Sequence, residues 1–222
     1  MASGPLVGRP PVEDRKDSHR LRAKTCATRK ERGDVEKVSV ACRPVTSDNL
    51  AALLRCMGDR AFSDNPRWAT CACVFHYLAD SESGCWDDRT GDQNRTLLSR
   101  MVEGGTGSGM AAHHPDDPRV VGYVNAALRP RLHRCDTWGT PSAPDVGIVA
   151  CVVVDPTLRH RGFASQLRGA ATNALWSRGA TRVDAYAYAD TDKPAAESDP
   201  GIGEDQIAHH GPIAMYLRQA ST

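Results

Sequence analysis

Arg159, His160, Arg161 and Gly162 stand directly after an apolar run and directly before a helical pattern. That placement suits the holding of a phosphate. The first N–H groups of a helix have no partner within it and carry partial positive charge, so an anion settles there. Gly162 has no Cβ and lets the backbone come close to such an anion, while Arg159 and Arg161 add full charges. The other reading is an ordinary strand-to-helix crossover with its basic residues in solvent. One glycine in a basic loop does not decide between the two. Two further groupings invite chemistry. Cys151 with His160 suggests a nucleophile, although a thiol in the middle of an apolar strand is usually a small core residue. Cys71, Cys73, His76 and Cys85 offer four zinc ligands by type. On a strand, however, Cys71 and Cys73 face one way and His76 the other, and no second C-x2-C knuckle follows, so buried thiols are the expectation and no metal site is assigned.

The elements that must position the basic loop are legible around it. Ile148 to Val154 is unbroken, apolar and rich in β-branched residues, which fits a strand covered on both faces. Asp155-Pro156 ends it, because proline has no N–H for a ladder and turns the preceding residue away from helix. Phe163, Leu167, Ala170 or Ala171, and Ala174 then mark one face of a helix, closed by Arg178-Gly179. After a three-residue break, Arg182 to Asp190 alternates as a strand that should run parallel to the first.

Upstream, the alternation at Val38, Val40 and Cys42 predicts a strand. Thr46 predicts an N-cap for a helix with Leu50, Leu53, Leu54 and Met57 on its apolar side. Trp68 to Tyr77 alternates Cys71, Cys73, Phe75 and Tyr77, which predicts another strand. Residues 78–92 read as a polar loop and Asn94 to Glu103 as a short helix. Gly104 to Gly109 lacks the Lys-Ser/Thr of a P-loop and reads as a flexible linker. Met110 to His113 and Val120 to Leu128 predict a hairpin with Val121, Tyr123 and Asn125 on one face. Residues 129–145, with three prolines, read as a long loop. Residues 191–210 read as another, ahead of a last helix from Ile213 to Leu217.

Composition narrows the class. Of 222 residues, 40% are hydrophobic and 25% charged, enough for one domain with a core. The formal net charge of +1 gives no basic field for nucleic acid. No apolar run reaches the roughly 18 residues of a membrane span, and the N-terminus has no signal-like apolar stretch. The expected location is cytoplasmic, with the eight cysteines as thiols. Residues 1–35, rich in charge and proline and poor in apolar residues, are expected to be a disordered basic extension ahead of a domain over 36–222.

Arg159-His160-Arg161-Gly162-Phe163-Ala164 resembles the R/Q-x-x-G-x-G/A pattern of the GNAT N-acetyltransferases, preceded by Val-Asp-Pro at that superfamily's spacing. Gly211-Pro212-x-x-Met215-Tyr216 is similar to the start of the family's final helix. The Trp68-x-x-Cys71-x-Cys73 pattern with Gln93-Asn94-Arg95 resembles a bacterial subgroup of mostly unassigned substrate. The likeness covers roughly residues 36–219. It implies an α/β (α+β) fold: a mixed, mostly antiparallel central sheet with a splayed parallel strand pair and flanking helices. It also implies transfer of acetyl from acetyl-CoA to an amine of a small molecule or protein by direct attack.

Carried onto this chain, the resemblance places Val152, Val153 and Val154 against pantetheine. Amides and side chains of Arg159, His160, Arg161, Gly162, Phe163, Ala164 and Ser165 are placed at the pyrophosphate. Tyr123 and Asn125 fall on the acceptor side, and Tyr216 is the proton donor to the leaving thiolate. Asp145, His133 and Asp184 are the candidates for general base. The family continues into a Gly-Phe turn and two more strands where this sequence has Ala220-Ser221 and Thr222. The expectation is a C-terminally shortened member, or one that takes those strands from a partner as a homodimer. A catalytically inactive CoA-binding or protein-interaction module is the alternative. An ATP-binding protein using the same loop is weaker, for want of the Lys-Ser/Thr phosphate motif.

Overall fold

In the computed structural model the described residues are 39–79, 86–107, 109–134 and 143–186. They build a five-stranded sheet in the order β1 (Ala41–Pro44), β2 (Met110–His113), β3 (Val120–Leu128), β4 (Val146–Val154) and β5 (Arg182–Ala185). The first three pairings are antiparallel and β4–β5 is parallel. Helices α1 (Ser47–Asp59) and α2 (Gly91–Glu103) cover one face, and α3 (Phe163–Ser177) the other. The sheet is thus the expected mixed, mostly antiparallel one with a parallel pair.

β4 is apolar throughout because both of its faces are covered. Val149 and Val154 pack beneath α3, with Val152 beside them, while Cys151 and Val153 join the core under α1 and α2. Between Asn125 and Ala126 of β3 the register slips, and Ala150 is the extra residue on β4. The bulge puts two consecutive side chains on the α1 side: Ala150 packs with Tyr77, and Cys151 against His76. A second slip, opposite Ala112 and His113, skips Val121. Val121 therefore packs under α3 while Tyr123 stays with the α1 core, and the expected single face of Val121, Tyr123 and Asn125 is broken there.

On α3 the buried stripe is Phe163, Leu167, Ala171 and Leu175, with Ala170 and Ala174 half-buried beside it. Each leucine buried in this way contributes about 2 kcal/mol. α1 begins where Thr46 predicts, with the Asn49 side chain accepting the Thr46 N–H at 3.0 Å. α2 begins at Gly91, three residues before the expected Asn94. A reciprocal capping box explains the difference: Thr90 Oγ1 accepts from Gln93 N at 3.3 Å, and Gln93 Oε1 accepts from Thr90 N at 2.9 Å.

Further sequence expectations are corrected. Residues 68–77 form no strand. Pro66–Thr70 and Phe75–Tyr77 are 3₁₀ turns, and Ala72 and Cys73 between them take positive φ of 46° and 53°. Pro66 starts the first turn at a position where its missing N–H costs nothing, and left-handed residues cannot continue a pleated strand. The Gly104–Gly109 stretch is not a loose linker. Thr106 and Gly107 both donate to Met101 O, at 2.7 and 2.6 Å. Gly109 has φ 133°, and a Cβ there would lie 2.3 Å from Val124 O. β1 is also shorter than expected and displaced toward Pro44. Residues 187–190 and 191–217, which carry the expected end of the last strand, the second long loop and the last helix, lie outside the described residues. Among the described residues no helix is long and apolar enough to cross a membrane.

Candidate functional site

The site grows from the end of β4. Asp155 is buried at 2% exposure, and its Oδ1 accepts from Thr157 N at 3.0 Å and Thr157 Oγ1 at 2.7 Å. This local turn drives the 3₁₀ segment Pro156–Leu158 and reverses the chain. His160 follows at φ 64° and Gly162 at φ 84°, and Gly162 is the N-cap of α3. Beyond its chain neighbours, no atom of the described residues comes within 4 Å of the position a Gly162 Cβ would take. The result is a helix N-terminus under an open, side-chain-free approach, with His160, Arg161 and Gly162 exposed. Ala164 and Ser165 are half-buried and Phe163 is buried, so Phe163 anchors the helix while the first-turn backbone faces the opening. A phosphate fits this geometry.

Arg159 is committed elsewhere. Its Nε donates to Val154 O at 3.1 Å and its Nη2 to Ala61 O at 3.3 Å. Nη2 also donates to Asp64 Oδ1 at 3.1 Å, and Nη1 to Asp64 Oδ2, making a two-point ion pair. These bonds leave the guanidinium one N–H to offer. Both arginines read as phosphate charges are exposed, and Arg159 is the one held in an ion pair.

The Arg159 hydrogen bond holds the Asp64 carboxyl below the usual aspartate range. A group depressed on folding adds stability above its unfolded pKa and loses it as pH falls through its folded pKa. Asp64 is half exposed, so solvent screens much of the effect. In carboxyl-detected NMR, Asp64 should titrate below a free aspartate in the wild type and return to the ordinary value in Arg159→Gln. Coincident curves would refute the pairing in solution.

β4 also presents an edge. Its pairing with β5 runs from Val146↔Arg182 to Val149↔Ala185, whereas β4 continues to Val154. Among the described residues no strand pairs the β5 side of Ala150 to Val154. Val152 is half-buried, and Val153 and Val154 are buried. The side chains thus pack inward, and on the β5 side of the segment the described residues place Arg159 Nε on Val154 O but no strand.

The face opposite α3 carries a buried polar group. Tyr77 Oη donates to Asn125 Oδ1 at 2.7 Å, and Asn125 Nδ2 donates to Cys73 O at 2.8 Å. Cys151 Sγ lies 3.4 Å from His76 Nε2. Residues 71–78 are thereby tied down over β3 and β4. Asn125 and Tyr123 are at 0% and 1% exposure, so both belong to the buried floor and present no surface to an acceptor. Burial pushes the Tyr123 hydroxyl well up. A hydrogen bond with Cys151, then burial, does the same to the Cys73 thiol. Cys151 meets His76 and Cys73, not the exposed His160. Cys71 and Cys73 do not share the strand face on which the zinc count depended, and Cys85 lies outside the described residues. Among those residues no three His, Cys, Asp or Glu side chains are grouped to hold a metal.

The remaining candidates are dispersed. Asp145 precedes β4, at the end remote from the loop, and its carboxyl is held low by the Thr181 hydroxyl. Asp184 pairs with Arg182 at 2.9 Å and His133 is exposed after β3. Tyr216 lies outside the described residues. Asn94, in the Gln93-Asn94-Arg95 run, is structural: it is buried, donates to Thr70 O at 2.8 Å and accepts from Arg89 at 2.7 Å. Sequence reasoning missed Asp64 and Arg60, the partners of Arg159 and Asp155. No local pattern marks them, since 95 residues separate Asp64 from Arg159. A groove of about 1380 Å³ lies between β1, α1 and the β2–β3 turn, and neither residues 152–154 nor 159–165 line it.

No curated protein matches the sequence significantly. Among solved structures the chain is similar to an aminoglycoside N-acetyltransferase in complex with CoA, at 15% identity over 68% of this chain and 78% of that one, TM-score 0.44. It is similar to a GCN5-related N-acetyltransferase from Ralstonia eutropha JMP134, at 16% identity over 67% and 84%, TM-score 0.42. An aminoglycoside acetyltransferase from an uncultured soil metagenomic sample shares 19% identity over 75% and 91%, TM-score 0.42. The family model of the GNAT acetyltransferases matches residues 72–197, more than half of the sequence, and the chain belongs to that family.

Proposed function

We propose that this acyltransferase moves acetyl from acetyl-CoA directly to an amine. In this reading the backbone edge of Val152, Val153 and Val154 takes the pantetheine as an added strand would. The amides from His160 to Ser165, with Arg161, take the pyrophosphate. One observation supports this most: among the described residues β4 runs past its parallel partner and leads into a left-handed glycine cap with open space above it. Edge and helix N-terminus are consecutive in the chain, as a ligand with an amide arm and a phosphate end requires.

Acetyl-CoA supplies the activated thioester. The protein's part is to hold and orient it. A backbone N–H near Val152 is the proposed donor to the developing oxyanion. Tyr216 is the proposed proton donor to the leaving thiolate, by resemblance. Asn125 acts by holding residues 71–78 on the sheet, and Tyr123 packs in the core beneath them. We assign the domain to 36–222, after an extension over 1–35.

Calorimetry with CoA, and thiol release from acetyl-CoA across a panel of amines, test the reading. Saturable CoA binding and amine-dependent thiol release are expected. A protein that binds no CoA and releases no thiol above the buffer rate contradicts it.

A further inference from the structure

Two ion pairs of opposite polarity join the end of α1 to the loop after β4. Arg60, which caps α1, sets its Nε 3.5 Å from Asp155 Oδ2 and donates from Nη2 to Val120 O at 3.3 Å. Asp64, four residues on, takes the Arg159 fork, and Arg159 also reaches Ala61 O. Residues 60–64 thus give a cation and then an anion, while 155–159 give an anion and then a cation. The same segment, 60–64, runs on into residues 66–78, which lie over Asn125 and Cys151.

We infer that this double clamp positions the phosphate loop, and that Asp64 is a positioning residue for the pyrophosphate end of the cofactor. The inference rests on the reading that residues 160–165 bind CoA. Arg159 acts through it as a brace. Its guanidinium is nearly filled by Asp64, Ala61 and Val154, so the loop that follows is fixed before any ligand arrives. Pre-organisation of this kind raises affinity by removing the cost of ordering the loop on binding. It also ties the segment covering β3 and β4 to the cofactor loop, so that a change at one is felt at the other.

The test compares CoA with pantetheine, which lacks the phosphates, by calorimetry on the full-length chain. Asp64→Asn should weaken CoA about fivefold, the scale of a half-exposed bidentate pair, and leave pantetheine unchanged. Arg159→Gln should weaken CoA about tenfold, since two carbonyls also lose their donor. Asp64→Glu should restore much of the loss. The double variant Asp64→Asn/Arg159→Gln should be no worse than Arg159→Gln alone. If Asp64→Asn binds CoA as the wild type does while Arg159→Gln loses it, Arg159 is a direct phosphate ligand and the clamp is overturned. Equal losses for CoA and pantetheine overturn it too, because the effect then lies in the fold as a whole. A wild type that binds neither ligand overturns the parent reading and the clamp with it, a result separable from the other two.

Discussion

Gly162→Asp should lose CoA affinity by roughly 100-fold, about 2.7 kcal/mol, with little change in melting temperature. The two halves of this result come from the same position. Gly162 is the N-cap of α3, and aspartate is among the preferred N-cap residues because its carboxylate can accept the orphan amides and favours the positive end of the helix. Aspartate also tolerates left-handed φ better than most residues. The fold therefore gains about what it loses to strain at φ 84°. For a phosphate the substitution is hostile throughout. The carboxylate would occupy the amides that the anion needs and would repel it at short range. Gly162→Ala separates charge from shape. Among the described residues nothing but the chain neighbours lies within 4 Å of the added methyl, so its cost is the left-handed backbone, about 1 kcal/mol, plus whatever the methyl takes from the ligand's approach. The expected order of CoA affinity is wild type, then alanine, then aspartate. Equal calorimetric affinity for wild type and Gly162→Asp would remove the loop from the binding site.

The cofactor half of the molecule is legible because its signals are local. The apolar run of β4, the Asp155-Pro156 stop and the stripe on α3 each follow from a few adjacent residues, and the structure contains all three. The parallel pairing of β4 and β5 follows from the helix between them. What failed is what depends on distant partners or on single backbone angles. The alternation of Cys71, Cys73, Phe75 and Tyr77 has the period of a strand, yet left-handed Ala72 and Cys73 sit inside it. Their conformation is held by Asn125, which accepts and donates across from β3, and no local propensity records that hold. Arg159 reads as a phosphate charge until Asp64, far away in sequence, is seen to claim it. The bulge at Ala150 changes which side of β4 each residue faces, and an all-apolar run carries no alternation from which to detect it.

Asn125→Leu should lower the melting temperature by roughly 10 °C, the scale of about 3 kcal/mol in a chain of this size. Leucine keeps the branched four-atom skeleton but is bulkier than asparagine, so overpacking adds to the electrostatic cost. Cys73 O loses the Asn125 donor and Tyr77 Oη the Asn125 acceptor, both buried between residues 71–78 and the sheet. Tyr77→Phe removes the hydroxyl with its need for a partner, and by itself should cost about 1 kcal/mol. The double variant Asn125→Leu/Tyr77→Phe should therefore melt above Asn125→Leu, because the hydroxyl that lost its Asn125 acceptor is gone. Function should follow the segment. With Asn125 absent, the amides of residues 73–77 should exchange with solvent faster, while those of α3 keep their protection. The loss of protection would mark residues 71–78 as a unit whose hold on β3 depends on the Asn125 amide. Should Asn125→Leu melt with the wild type, or the double variant fall to the sum of the single losses, the polar floor would not be what holds that segment in place.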